Sequence, residues 1–473
     1  MNAPPRQPDR PNDRRDGRKG PGRRPAQSAQ AAREEAERAP GLPARLAAAA
    51  ILSDVVAKAH SLDECFSPQA VPSRLGGLEP RDVALVRSIV TAALRRLGTI
   101  RKALAQRLEK GLPKPVAHLE WTLIAAAAQI LFLDVPDHAA VDLAVRATRL
   151  EAKAAPFAGL VNAVLRNVAR GRDEILAESD PLRDDTPGWL AARWIRAYGE
   201  GGARAIAAAN RAEPTLDLTV WSDAEGWAQR LGGLVLPTGS VRLLTHAPVS
   251  ELEGYAEGAW QVQDAAAALP ARLLGAKPGM RIADFCAAPG GKAAQLATLG
   301  TSVTAIDRSA ERLKRLAANF ERLKLSAEMV VADAATLRAQ AFDAVLVDAP
   351  CLSTGTIRRH PDVAWIKRSS DLPKLAEIQA RMLDRAVELT RPGGAIVYCT
   401  CSLEPEEGEA QIAALLRRNS EVARSRISPD EIGGLADAIT PEGEMRALPF
   451  HLPADDPRAA GLDGFFAARL IRR

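Results

Sequence analysis

The chain of 473 residues is poor in several things, and each shortage excludes something. Aromatic residues are only 4% of it, while alanine is abundant, a bias toward helices rather than toward an extensive aromatic reading surface. Five cysteines, an odd number in so long a chain, do not make a disulfide framework, so a reducing cytoplasm is the expected compartment. No long apolar run exists: the longest, from Trp121 to Val135, is broken by Thr122, Gln129 and Asp134 and falls short of the roughly 20 residues that span a bilayer. The N-terminus lacks the apolar core of a secretory signal. A strongly basic body is missing as well. Lys and Arg total 63 against 58 Asp and Glu, a net +5, and residues 1–24 alone carry eight basic and three acidic groups. The remainder is neutral, which excludes a protein that coats nucleic acid by bulk charge.

What is present is organised in blocks. Residues 1–40 are rich in Pro, Arg, Asp, Gln and Gly and nearly devoid of large apolar side chains, so a disordered basic tail is expected there. It would be a solubilising tail or a loose RNA-contacting arm. Over 41–175 apolar residues recur at three- and four-residue spacing, as in Val83, Val86, Ile89/Val90, Ala93/Leu94 and Leu97. Similar faces occur at 42–59, 116–133, 138–150 and 157–169, with Pro68, Pro72, Gly76, Gly77, Gly111, Pro113, Pro115 and Pro136 punctuating the gaps. This predicts a compact all-helical domain. Residues 176–260 read as connecting helices and a small α/β subdomain, with strand-like pieces at 216–220 and 241–244. From 261 to 473 the chain alternates strands (281–285, 302–306, 328–332, 342–347, 395–399) with helices (292–299, 310–323, 372–389), the pattern of an α/β fold on a largely parallel sheet.

In such a sheet, ligands sit at the carboxyl ends of the strands. Three motifs fall there. Asp284-Phe285-Cys286-Ala287-Ala288-Pro289-Gly290-Gly291-Lys292 leaves the first strand and opens a helix; its glycines let backbone approach a ligand closely. Asp307 ends the next strand, placed to hold both ribose hydroxyls of a nucleoside cofactor, and Asp333 follows the third, within reach of an adenine edge. Asp348-Ala349-Pro350-Cys351 follows the fourth, and Thr400-Cys401-Ser402 the fifth. A free buried cysteine is usually a small hydrophobe. Two of them at cofactor-side strand ends, one led in by Asp-Ala-Pro, fit methylation of cytosine at carbon 5. That carbon is too weak a nucleophile until a thiolate adds at C6, and an acid near N3 must steady the charge that develops on the ring. The target base must also leave its stack. Arg358, Arg359 and His360, close in sequence to Cys351, are read as RNA phosphate contacts. Neither the six histidines nor the cysteines show metal-ligand spacing, so no metal site is expected.

The segments Cys286–Lys292, Asp348–Cys351 and Thr400–Ser402 resemble those of the Sun/Fmu-type RNA cytosine-5 methyltransferases. Thr354-Gly355 followed by Arg358-Arg359-His360-Pro361-Asp362 is similar to the bacterial small-subunit ribosomal RNA branch of that family. Val161-Asn162-Ala163-Val164-Leu165-Arg166-Asn167 resembles its NusB-like N-terminal domain, and Gln263-Asp264 and Gly464-Phe465-Phe466 agree. The resemblance spans about residues 41–473 and implies a Rossmann-like methyltransferase domain behind an all-α NusB-like domain. It also implies S-adenosylmethionine as methyl donor and small-subunit (16S) ribosomal RNA as substrate. By that likeness the backbone of Cys286, Ala287, Ala288, Pro289, Gly290, Gly291 and Lys292 would hold the donor's methionine part, Asp307 its ribose and Asp333 its adenine. Asp348 would lie between donor and base, Cys401 would be the nucleophile, Cys351 would help release the product, and Lys292 belongs to the same catalytic set. Leu352 and Ala293 stand where Ser and Thr are usual, and Cys399 is an extra cysteine read as a buried strand residue. A non-catalytic assembly factor, or an enzyme for another RNA such as tRNA, remain the alternatives. A monomer is expected.

Overall fold

The computed structural model describes Met1 and residues 39–67, 74–108, 110–112, 116, 118–244 and 247–473. The expected basic tail, apart from Met1 and its last two residues, lies outside the described residues, as do Pro68, Pro72, Pro113 and Pro115.

The helical periodicity becomes the helices Leu42–Lys58, Pro80–Arg95, Leu97–Ala105, Leu119–Phe132, Asp137–Leu150 and Ala158–Arg170. Their apolar faces meet in one core, where Ile51, Ile89, Leu123, Ile124 and Leu165 are fully buried. The apolar helix Leu119–Phe132 is buried nearly all round, which explains why its sequence shows little amphipathicity. Helix Gly188–Arg211, with non-helical backbone at Gly199, leads to a four-stranded antiparallel sheet of β1 (Asp217–Val220), β2 (Gly233–Val235), β3 (Val241–Leu243) and β4 (Trp260–Val262), ordered β2-β3-β1-β4.

The second sheet has eight strands: β5 (Arg281–Phe285), β6 (Ser302–Asp307), β7 (Glu328–Val331), β8 (Phe342–Asp348), β9 (Thr390–Thr400), β10 (Val422–Ser425), β11 (Met445–Ala447) and β12 (Phe465–Arg472). Its order is β10-β12-β9-β8-β5-β6-β7, with β11 on β12. β9, β8, β5, β6 and β7 are mutually parallel, and β12 is antiparallel to β9. Helix Ala310–Leu323 shows why the α/β alternation is legible: Leu313, Leu316, Phe320 and Leu323 bury one face, and Ser309 caps its start by accepting from the Arg312 N–H at 3.2 Å.

Strand order positions the site. The chain runs outward from β5 through β6 to β7, then returns to β8 on the other side of β5, so the sheet reverses direction between β5 and β8. A crevice opens outside the carboxyl ends at such a reversal. The loops after β9, β8 and β5 therefore lie side by side. The helical core also touches the loop that follows β8. The Leu62 N–H donates to Asp362 at 3.0 Å, the Trp365 indole donates to the Leu94 carbonyl at 2.9 Å, and Arg95 donates to the Arg358 carbonyl at 3.0 Å.

Candidate active site

Both edges of the crevice carry the motif side chains. Lys292, in the first turn of helix Gly291–Thr298 after β5, reaches Asp348 at the end of β8, with Nζ 2.8 Å from Oδ2. Burial works against its ammonium, but the Asp348 carboxylate outweighs that, so the Lys292 pKa is raised and the side chain stays charged. The Phe465 ring, 5.0 Å from Nζ, adds a cation–π contact from β12. Cys399, paired in register with Asp348, is fully buried, and its Sγ lies 3.5 Å from Asp348 Oδ1. Its pKa is pushed up, chiefly by burial and then by Asp348, so it is a neutral thiol.

The loops after β8 and β9 bring Cys351 and Cys401 together with sulfurs 3.6 Å apart, both as free thiols. The two are not equivalent. Cys351 is raised well above a normal thiol by its contact with Cys401 and by burial. Cys401 is lowered, first by the hydrogen bond from Cys351. The two sulfurs therefore titrate as one coupled pair, in which either thiol can donate to the other.

The turn after β5 has the shape of a cradle. Cys286 adopts φ +62° and Gly290 φ +108°, and a Cβ on Gly290 would stand 2.8 Å from Leu316 Cγ. The Ala288–Pro289 peptide is cis. Asn319 donates to the Pro289 carbonyl at 3.1 Å, and Arg312 bonds the Ala288 carbonyl. Burial, then Asp348 and Asp307, push the Cys286 thiol up to about 12, so it contributes backbone rather than a reactive sulfur. Asp307 is buried at the end of β6; its Oδ1 accepts from the Ser309 N–H at 2.9 Å, while Oδ2 accepts no hydrogen bond, although Arg312 lies 3.0 Å away. A buried carboxylate oxygen beside a glycine turn, held only by an ion pair with Arg312, is what a ribose diol would satisfy. Asp333, exposed just beyond β7, accepts from the Ala335 N–H at 2.9 Å. The residues present therefore fit a nucleoside cofactor lying across the ends of β5, β6 and β7.

Comparison with known proteins agrees with this arrangement. Residues 271–471 match the family described as 16S rRNA methyltransferase RsmB/F, and residues 42–170 match the NusB family. The chain is 37% identical over 457 residues to ribosomal RNA small subunit methyltransferase B of Xanthomonas campestris, an alignment covering 92% of this chain and 98% of that protein. It is 35% identical over 415 residues to the protein of the same name from Vibrio cholerae, covering 82% and 92%. The chain belongs to the ribosomal RNA small subunit methyltransferase B family. Among solved structures, that of PH0851 superposes with a TM-score of 0.69 at 22% identity, covering 92% of this chain and 99% of that one, a likeness of fold.

In this chain one expectation needs correcting. Arg358 and Arg359 do not form an exposed cationic cluster. Arg358 is 5% exposed and bonds Asp463 at 2.8 Å and Asp264 at 3.2 Å. Arg359 bonds Asp264 at 2.6 Å, Asp217 at 3.2 Å and the Thr215 carbonyl at 2.7 Å. Asp217 also holds the fully buried Arg242 at 2.6 Å. Three segments distant in sequence, at Thr215–Asp217, Asp264 and Asp463, thus converge on the two guanidinium groups and pair them with carboxylates rather than leaving them free for phosphate. Of the three residues only His360 is exposed.

Several side chains in the site carried no role in the sequence reading. Asp284, fully buried in β5, has its pKa raised well above the usual range by burial and by Asp348. The Ala293 backbone N–H, at the start of helix Gly291–Thr298, offsets that in part. Arg312, Asn319 and Phe465 brace the cofactor turn and Lys292. Asp284 and Phe465 were within the quoted Asp284–Lys292 and Gly464-Phe465-Phe466 motifs, so a signal existed; Arg312 and Asn319 sit on a helix face whose partners, the Ala288 and Pro289 carbonyls, lie in another segment. Among the described residues no group of three or more metal-ligating side chains is assembled.

Proposed function

We propose that the protein transfers a methyl group from S-adenosylmethionine to carbon 5 of a cytosine in small-subunit ribosomal RNA, through a covalent bond between Cys401 and C6 of the base. The observation that carries this reading is the pair of free thiols, 3.6 Å apart, beside the Lys292–Asp348 ion pair. S-adenosylmethionine, when bound, supplies an electrophilic methyl group. The backbone of Cys286–Lys292 would hold its methionine part, Asp307 its ribose and Asp333 its adenine.

The remaining work falls to the chain's own residues. The Cys401 thiolate, stabilised by the Cys351 S–H, adds to C6 of the extruded cytosine, and the C5=C6 electron pair moves onto C5. Asp348, anchored by Lys292, faces the ring where charge develops. Once C5 carries the methyl group, a solvent water takes the C5 proton, the C–H electron pair reforms the C5=C6 bond, and the electron pair of the C6–S bond returns to Cys401. Cys351 sits against the departing sulfur and assists this release. Anchoring Asp348 and Cys351 before the base arrives avoids paying for their ordering during reaction.

The test is methyl transfer to a small-subunit rRNA transcript with isotopically labelled donor. Cys401→Ala should abolish incorporation while donor affinity is retained. Incorporation at the wild-type rate would remove Cys401 as the nucleophile.

A further inference from the structure

Two buried residues outside the motifs join the loops that carry the two thiols. Glu407 lies six residues beyond Cys401 and is fully buried. Its carboxyl oxygens accept from the Leu352 N–H at 3.2 and 3.1 Å, immediately after Cys351. Gln379, fully buried on helix Leu372–Leu389, donates its amide to the Pro350 carbonyl at 2.9 Å, immediately before Cys351. The same amide donates to Glu407 Oε1 at 3.0 Å. Both peptide groups flanking Cys351 are therefore held by one acceptor and one donor that also hold each other. Glu407 is tied in turn to β9, the strand that delivers Cys401: its carbonyl accepts from the Tyr398 hydroxyl at 2.8 Å and the Thr400 hydroxyl at 3.3 Å.

The orientation of the Gln379 amide is forced. Its NH2 serves two acceptors, and its Oε1 has no partner. Turned over, it would set an oxygen against two oxygens and lose both bonds. A buried carbonyl oxygen left unbonded is a cost, and here the chain bears it to keep two donors on the Cys351 loop.

We propose that Glu407 and Gln379 are a positioning pair for the release half of the reaction, holding Pro350–Leu352 so that the Cys351 thiol stays in contact with the Cys401 sulfur. Neither residue touches a reacting atom; both act through Cys351. The inference rests on the release role assigned to Cys351.

The experiment compares full-length wild-type, Glu407→Gln, Gln379→Ala and Cys351→Ala proteins on an rRNA transcript with S-adenosylmethionine. Glu407→Gln keeps size but sets an amide donor against the Leu352 N–H or the Gln379 NH2; Gln379→Ala removes a donor without placing anything new. Four quantities are read: donor affinity, the amplitude of the methyl-transfer burst in the first turnover, steady-state turnover, and covalent protein–RNA adduct on denaturing gels. Both positioning variants should keep donor affinity and the amplitude of the burst, slow steady-state turnover on the order of tenfold, as loss of one hydrogen bond would, and accumulate adduct as Cys351→Ala does. If the burst falls together with turnover and no adduct appears, the pair is merely structural and the proposal is overturned. Unchanged turnover in both variants overturns it as well. If Cys351→Ala itself gives no adduct, the release role is wrong and this inference falls with it. Adduct in Cys351→Ala but not in the two variants refutes the positioning pair alone.

Discussion

Replacing Arg358 by alanine separates two roles for the same residue. The side chain is 6% exposed and bonds Asp463, itself 6% exposed, and Asp264, 4% exposed. Burial works to raise the Asp264 carboxyl, but Arg359 and Arg358 together outweigh it and hold it below the usual range. Removing Arg358 leaves three buried carboxylates, Asp217, Asp264 and Asp463, to share Arg359 and Arg242. Breaking a buried pair by deleting one partner typically costs about 3–5 kcal/mol, because the remaining charge stays desolvated. In a unit of some 200 residues each kcal/mol moves the midpoint by roughly 2–4 °C, so Arg358→Ala should lower Tm by about 6–20 °C. Thermal unfolding followed by fluorescence or calorimetry reads this directly. The salt dependence of RNA binding, measured below the unfolding range, should keep its slope. A phosphate contact would behave oppositely: stability within about 0.5 kcal/mol of wild type, and a log–log salt slope shallower by about 1. That second outcome would refute the structural role argued for Arg358.

Other consequences are as direct. Gly290→Ala places a Cβ 2.8 Å from Leu316 Cγ at a backbone angle that side chains avoid, so the cofactor turn must shift; donor affinity measured by calorimetry should fall on the order of tenfold, equivalent to about 1.4 kcal/mol. Cys351→Ala removes the hydrogen bond that lowers the Cys401 pKa. The alkylation rate of Cys401, which needs the thiolate, rises as pH passes its pKa; in that variant the rise should move to higher pH, and an unmoved profile would deny the coupling of the two thiols. Deleting residues 1–24 removes a net +5 and should weaken RNA binding modestly and flatten its salt dependence; collapse of binding would move the main RNA grip into the tail.

The parallel strands and their helices were legible because each is apolar where it is buried and closes on a turn signal. β9 begins at Thr390, five residues before the expected start, and the added stretch contains Pro392, Gly393 and Gly394. The structure carries the strand through them at a register shift opposite Phe342 and Ala344, where a Cβ on Gly394 would lie 2.6 Å from the Asp343 carbonyl. β10, β11 and β12 were not foreseen. β12 pairs with β9 some 70 residues earlier, and nothing local to Phe465–Arg472 announces that partner.

The residues proposed to be catalytic were legible for a different reason. Strand-end motifs stay local in sequence, and parallel pairing is enough to gather Lys292, Asp348, Cys351 and Cys401. Arg358 and Arg359 were misread because their charge is visible locally, whereas Asp217, Asp264 and Asp463, which neutralise them, lie about 100 residues or more away. Glu407 and Gln379 went unread for the same reason, being polar residues whose meaning lies in contacts with a distant loop.

The central claim, a cytosine of small-subunit rRNA methylated through Cys401, is tested most directly by bisulfite sequencing of total RNA from cells lacking the protein and from the same cells given back the wild-type or the Cys401→Ala chain. The account predicts that one small-subunit rRNA cytosine loses its protection from conversion in the deletion, regains it with the wild-type chain and stays unprotected with Cys401→Ala. An unchanged rRNA pattern, or a lost mark in tRNA instead, would contradict it.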